Sequence, residues 1–172
     1  GQENMSMAHH TLLFRNEENL SESNLKDSMV YDGLTDAFNN YHMGITAENI
    51  ADMYKISRQE QDDFAYKSQT KTQLSLKKKI FDDELIAVEL NGYFLDKDEH
   101  PRKNLLIEDL KKLKPAFKKD GTVTPGNASG INDGAAAVLL TTFDEVKKKS
   151  LKPLARIVSW SSVGVDPSLM GL

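Results

Sequence analysis

The 172 residues contain no cysteine. That excludes disulfides, thiolate metal sites and a cysteine nucleophile within this stretch. No apolar run is long enough to span a bilayer. The first residues, Gly1–Ser6, have neither a basic nor an apolar region of the kind that opens a signal peptide. Three glycosylation sequons, at Asn4, Asn19 and Asn127, are therefore read as chance matches. The net charge is only −4, so no global field favours nucleic acid or a membrane surface. Internal repeats and low-complexity tracts are absent. What remains is ordinary for a soluble domain with a core: 39% hydrophobic and 28% charged residues.

Residues 1–40 are polar and loop-like, with a short apolar patch at Leu12–Phe14 and punctuation at Gly33, Asn39 and Asn40. Thr46 is the expected N-cap of a helix over 47–54, in which Ile50, Ala51 and Tyr54 share a face. The clearest helix starts at Ser57, which forms a capping box with Glu60, and continues to about Lys79. Phe64, Ser68 and Lys71 fall on one of its faces, with Ala65 beside them. Residues 81–90 alternate as a strand does, Asn91-Gly92 is a hairpin turn signal, and Tyr93–Leu95 is the expected return strand. A charged loop over 96–104 precedes a short helix at 107–113. Residues 135–141 read as a buried strand, 143–149 as a helix and 154–165 as another strand, a strand–helix–strand unit suited to a parallel or mixed sheet.

The most informative stretch is Gly121–Gly134 (GTVTPGNASGINDG). Gly126, Gly130 and Gly134 recur every four residues among small polar ones, so backbone can approach a ligand closely. The apolar run behind them is expected to hold the loop rigid, as a cradle for a long, thin substrate. The loop is not a P-loop, because no lysine follows Gly126 or Gly130, and it does not match the dinucleotide fingerprint.

Other clusters leave alternatives open. His42, just before a helix, could polarise a carbonyl or thioester, or could merely pack and satisfy a backbone group. The loop Asp96–Arg102 gathers three acids and His100, but Pro101 stands where a calcium loop needs glycine, so it reads as a solvated loop presenting Arg102. Arg102, Lys103, Lys111, Lys112, Lys114, Lys118 and Lys119 suit a phosphorylated ligand or, equally, a solvated face. His9 and His10 lack partners at metal spacing and are expected at the surface. No metal site is expected.

Several segments, in order along essentially the whole chain, resemble thiolases. They are Gly1–Ser6 (GQENMS), Asp27–Met29 (DSM), Asp32–Phe38 (DGLTDAF), Tyr41–Asn49 (YHMGITAEN) and Ser57–Gln61 (SRQEQ). Asp98–Arg102 (DEHPR), Leu113–Phe117 (LKPAF), Gly121–Gly134, Pro153–Trp160 (PLARIVSW), Gly164–Pro167 (GVDP) and Met170–Gly171 follow. Pro125 and Ser159-Trp160 are similar to the cytosolic acetoacetyl-CoA type. The resemblance implies an α/β fold: a mostly helical inserted loop domain with a β-hairpin over 1–131, which binds coenzyme A and builds a tetramer. Part of a layered α/β/α core follows, with 132–150 ending one half of the subunit and 151–172 starting the other. It also implies that the chain is the middle of a subunit about twice its length.

The implied activity is the reversible condensation of two acetyl-CoA to acetoacetyl-CoA and CoA, in the cytoplasm, by a homotetramer. The thioester serves as substrate, and no further cofactor, nucleic acid or membrane is involved. The nucleophilic cysteine, the activating histidine, an asparagine and a second cysteine would all lie outside these residues, so the chain alone should be inactive. By resemblance, His42 and Met43 line the pocket around the thioester and pantetheine, and Leu34 and Phe117 pack against the coenzyme. Arg102 approaches the nucleotide end. Pro125 and Gly126 bring backbone to the pantetheine arm, and Ser129 hydrogen-bonds it near the sulfur. Gln69 stands where the potassium-responsive mitochondrial type has tyrosine, which implies no potassium activation. The hairpin at Asn91-Gly92 is a few residues shorter than in many relatives, at the place that pairs subunits. A non-catalytic CoA-binding or oligomerisation module, and a thiolase-like lipid carrier, are the alternative roles.

Overall fold

A computed structural model describes residues 1–12 and 25–172. Leu13 and Phe14 of the expected apolar patch lie outside the described residues. Two helices organise the rest. Helix α1 runs Met43–Tyr54 and ends at Lys55, which adopts a left-handed conformation (φ 57°) and donates its N–H to the Ala51 carbonyl. Helix α2, Arg58–Lys77, starts after a three-residue gap. Its capping box is formed: Ser57 Oγ accepts from Glu60 N–H (3.2 Å), and the Glu60 carboxylate accepts from Ser57 N–H (2.8 Å). A short helix α3, Ile107–Lys111, packs on α2. A last helix, α4, spans Phe143–Lys148, with Thr142 Oγ1 as its cap.

The start of α1 differs from the expectation. The N-cap is His42, whose Nδ1 accepts the Gly44 N–H (2.9 Å), while Thr46 lies inside the helix and turns its hydroxyl back to the Met43 carbonyl (2.6 Å). The imidazole supplies the acceptor that a shorter cap would otherwise provide, so the helix begins four residues before the sequence signal.

Among the described residues, strands occur as four antiparallel pairs. β1 (Gln2–Glu3) pairs with β8 (Gly134–Ala135), and β2 (His10–Leu12) with β3 (Leu25–Asp27). β4 (Thr35–Asp36) pairs with β5 (Tyr41–His42), and β6 (Val88–Leu90) with β7 (Tyr93–Leu95). The last pair is the expected hairpin: Asn91 (φ 47°) and Gly92 (φ 88°) both take the positive φ that a two-residue primed turn requires. Residues 81–87 do not join it; the chain turns at Phe81–Glu84 instead.

The two expected core strands are not formed. Beyond Ala136, which exchanges backbone hydrogen bonds with Gly1, residues 137–141 and 154–165 pair with no strand among the described residues, and their apolar side chains are open, with Leu139 at 90% and Trp160 at 87% exposure. Their apolar pattern suits a buried sheet, yet a strand needs neighbouring strands to receive its backbone hydrogen bonds. The strand–helix–strand unit therefore forms no sheet among the described residues. The buried hydrophobic residues among those described are Ala51, Leu110 and Val123, all at the meeting of α1, α2, α3 and the glycine-rich loop. The accessible surface is 14964 Å², well above the roughly 8,500 Å² that a compact 19.3 kDa protein would expose by size scaling.

Candidate functional site: a glycine-rich loop and the start of helix α1

One group of side chains collects at the start of α1. The β4–β5 pair places Thr35 opposite His42, and the Met43 N–H donates to the Leu34 carbonyl (2.8 Å). Leu34 and Met43 are thus joined through their backbones. The intervening turn is held by Asp36, which accepts from Phe38 N–H and from the Asn39 amide. The Asn39 amide is the main reason the Asp36 carboxyl lies below its ordinary range, and the Phe38 N–H adds to it. His42 stacks on Phe117, with ring centroids 4.6 Å apart and planes 22° from parallel. The Phe117 ring lies directly on Gly44, where any β-carbon would overlap it. His42 therefore does what the packing alternative foresaw, capping a helix and stacking. With Nδ1 accepting, a neutral imidazole carries its proton on Nε2, leaving that N–H as the free donor.

The second group is the glycine-rich loop. Gly126, Asn127, Ala128 and Ser129 line an open cleft of about 340 Å³ with Phe64, Ser68 and Gln69 of α2 and with His100 and Pro101. Gly126 sits against the side chains of Leu110 and Leu113, and Gly130 against the His100 ring, leaving no room for a β-carbon at either. Pro125 and Ser129 are exposed. Arg102 lines an adjoining cleft of about 220 Å³ with Gln69 and Gln73. Both glutamines grip its backbone: Gln69 accepts the Arg102 N–H (3.0 Å), and Gln73 donates to the Arg102 carbonyl (3.1 Å). The eight residues singled out from sequence thus form two groups rather than one cleft: Leu34, His42, Met43 and Phe117 in one, Pro125, Gly126, Ser129 and Arg102 in the other.

What joins the groups is a set of buried polar residues that the sequence reading passed over. Glu48 of α1 is 1% exposed, and its carboxylate accepts both Thr122 donors and the Val123 N–H, at 2.8 to 2.9 Å. Asp62 of α2 is 2% exposed and takes Arg58 Nε on one oxygen (2.8 Å) and the Asn127 amide on the other (3.0 Å). Arg58 also donates to the carbonyls of Leu110 and Leu113, and Asn127 to that of Thr122. Where a strand behind the loop was expected to hold it, Glu48 holds the loop through its backbone and Asp62 holds it through the Asn127 side chain. The only advance signals were the Arg58–Asp62 spacing on a helix and Glu48 inside a segment already matched to a family.

The basic cluster is partly neutralised. Lys111 pairs with Glu108 (2.9 Å), Lys112 with Asp109 (3.2 Å) and Lys118 with Asp52 (2.6 Å). The bond to Asp52 raises Lys118 and lowers Asp52 from their ordinary values. His9 and His10 are exposed, as expected. No three metal-ligating side chains converge among the described residues, and no helix described is long and apolar enough to cross a membrane.

The chain thus combines a glycine-rich loop held by buried carboxylates with a mostly helical layout and small sheets. The sequence profile of "Thiolase, N-terminal domain" matches residues 1–144, and the chain belongs to the thiolase family. It is 49% identical to an acetyl-CoA acetyltransferase of Allochromatium vinosum, over 99% of this chain and 45% of that protein. Two crystal structures superpose closely. The acetyl-CoA acetyltransferase of Bacillus anthracis does so with a TM-score of 0.91 at 41% identity, over 99% of this chain and 44% of the other. Human mitochondrial 3-ketoacyl-CoA thiolase in complex with CoA gives 0.88 at 43%, with the same coverage. The chain spans less than half the length of these relatives, and the α/β fold expected from the resemblance is that of the family.

Proposed function

We propose that this chain is the CoA-binding part of a thiolase subunit that condenses two acetyl-CoA reversibly to acetoacetyl-CoA and CoA. The observation that carries the reading is the rigid loop 121–130 beside an open cleft, with Arg102 fixed at the adjoining one. A long thioester needs such a track: close backbone at Gly126, a hydroxyl at Ser129 and a cation at the far end. Pro125 continues the track, while Leu34 and Phe117 provide an apolar wall. The Nε2–H of His42, with Met43 beside it, faces the thioester end as a donor that can stabilise developing negative charge on oxygen.

The covalent step belongs to a cysteine elsewhere in the full-length protein, with its histidine and a second cysteine. Acyl transfer to that thiolate, then attack by a second acetyl-CoA enolate, divides one hard step into two. In this reading residues 1–131 form the loop domain, while 132–150 and 151–172 contribute to the two core halves. The exposed apolar segments 137–141 and 154–165 then find their strand neighbours in the rest of the subunit. A cytoplasmic homotetramer, with CoA thioesters as its only small-molecule partners, completes the proposal. Gln69, already engaged with Arg102, supports the expectation that potassium gives no stimulation.

The test is thiolysis of acetoacetyl-CoA, followed as loss of the substrate's absorbance. The full-length protein is expected to be active, equally so in sodium and potassium buffers, and the 172-residue chain inactive. An inactive full-length protein, or an active fragment, overturns the reading.

A further inference from the structure

We propose that Glu48 is a positioning residue for acyl-CoA, setting the glycine-rich loop against the helix that presents His42 and Met43. The inference rests on the functional reading above and adds a determinant of binding that touches no ligand. Glu48 sits on α1 less than two turns from His42, and its hydrogen bonds go to two consecutive loop residues, Thr122 and Val123. Its carboxylate accepts three donors at once: two backbone N–H groups and the Thr122 hydroxyl. That hydroxyl in turn accepts from Gln61 of α2 (2.9 Å), so both helices meet at this point of the loop. From there the Thr122 carbonyl accepts the Asn127 amide, and Thr124 N–H donates to Asn127 Oδ1 (2.8 Å). The anchor is thus linked by short hydrogen bonds to the turn that carries Gly126 and Ser129.

Geometry makes the carboxylate hard to replace. A glutamine that keeps its oxygen on the two backbone N–H groups turns its NH₂ toward Thr122 Oγ1, and that hydroxyl, already accepting from Gln61, then loses the acceptor for its own proton. A buried donor left without a partner is costly, so the loop would shift to find one. A shifted substrate-positioning loop holds the CoA arm less well. A residue of purely structural importance would lower stability but leave the folded protein's affinity for CoA as it was.

The experiment uses the full-length protein with CoA as the probe. Calorimetric Kd values, steady-state kinetics and amide exchange are measured for wild type, Glu48→Gln and a control, Ser57→Ala, which loses a helix cap away from the loop. Glu48→Gln is expected to weaken CoA binding about tenfold and to raise KM for acyl-CoA in parallel, with kcat within about twofold. The Thr122 and Val123 amides should exchange faster in this variant alone. Ser57→Ala is expected to lower the melting temperature with Kd unchanged. Should Glu48→Gln not fold, Thr122→Val, which removes one donor to the carboxylate, is expected to weaken binding about threefold, while Thr122→Ser binds as wild type. A folded Glu48→Gln protein with wild-type Kd overturns the inference, and so does Thr122→Val binding as Thr122→Ser does. A wild type that fails to bind CoA overturns the functional reading, and this inference with it.

Discussion

Gly126 shows how narrow the tolerances are at the level of single residues. A β-carbon there would enter the side chains of both Leu110 and Leu113, and Leu110 is 2% exposed. Gly126→Ala is therefore expected to destabilise the loop region by about 1–3 kcal/mol, the usual cost of overpacking. Chemical denaturation of the full-length protein, with CoA affinity measured alongside, checks this; a variant as stable and as tight-binding as wild type would contradict it. The glycine spacing itself was legible in sequence, because few other residues permit such close approach. Glu48 and Asp62 were not legible. An acidic residue inside a helical segment reads as solvent-facing, and only the fold reveals that these two carboxylates are buried, Glu48 against loop backbone and Asp62 against the Asn127 and Arg58 side chains.

Among the elements, the capping box of α2 ties structure to pH. The backbone N–H and then the hydroxyl of Ser57 hold the Glu60 carboxyl below its ordinary value of 4.5. A carboxyl lowered in the folded state stabilises it at pH above the unfolded value, and that contribution fades as pH falls through the folded one. Protection of the first-turn amides of α2, corrected for intrinsic exchange, is thus expected to be constant near neutrality and to fall below about pH 4.5. Glu60→Gln should flatten that fall; an unchanged profile would contradict the assignment. This helix and the Asn91-Gly92 hairpin were readable because cap and turn chemistry is local. The start of α1 was misread because an imidazole served as the cap. The segments 137–141 and 154–165 carry strand chemistry, but their pairing partners are not local, and no pattern within them could say where those partners lie.

On the scale of the whole molecule, the accessible surface exceeds that of a compact protein of this size, and the apolar segments 137–141 and 154–165 stand open. The buried hydrophobic residues among those described lie where α1, α2 and α3 meet the loop, which is also where the candidate CoA track lies. The family was evident from ordered motifs along the sequence. The division of the eight site residues into two groups, and the buried carboxylates joining them, required the three-dimensional arrangement. The most direct test of the account is a crystal structure of the full-length protein with bound CoA. It is expected to show the pantetheine arm along residues 125–129, with the Ser129 hydroxyl in hydrogen-bonding range near the sulfur and the nucleotide end beside Arg102. CoA bound away from that loop, or no binding at saturating concentration, would contradict it.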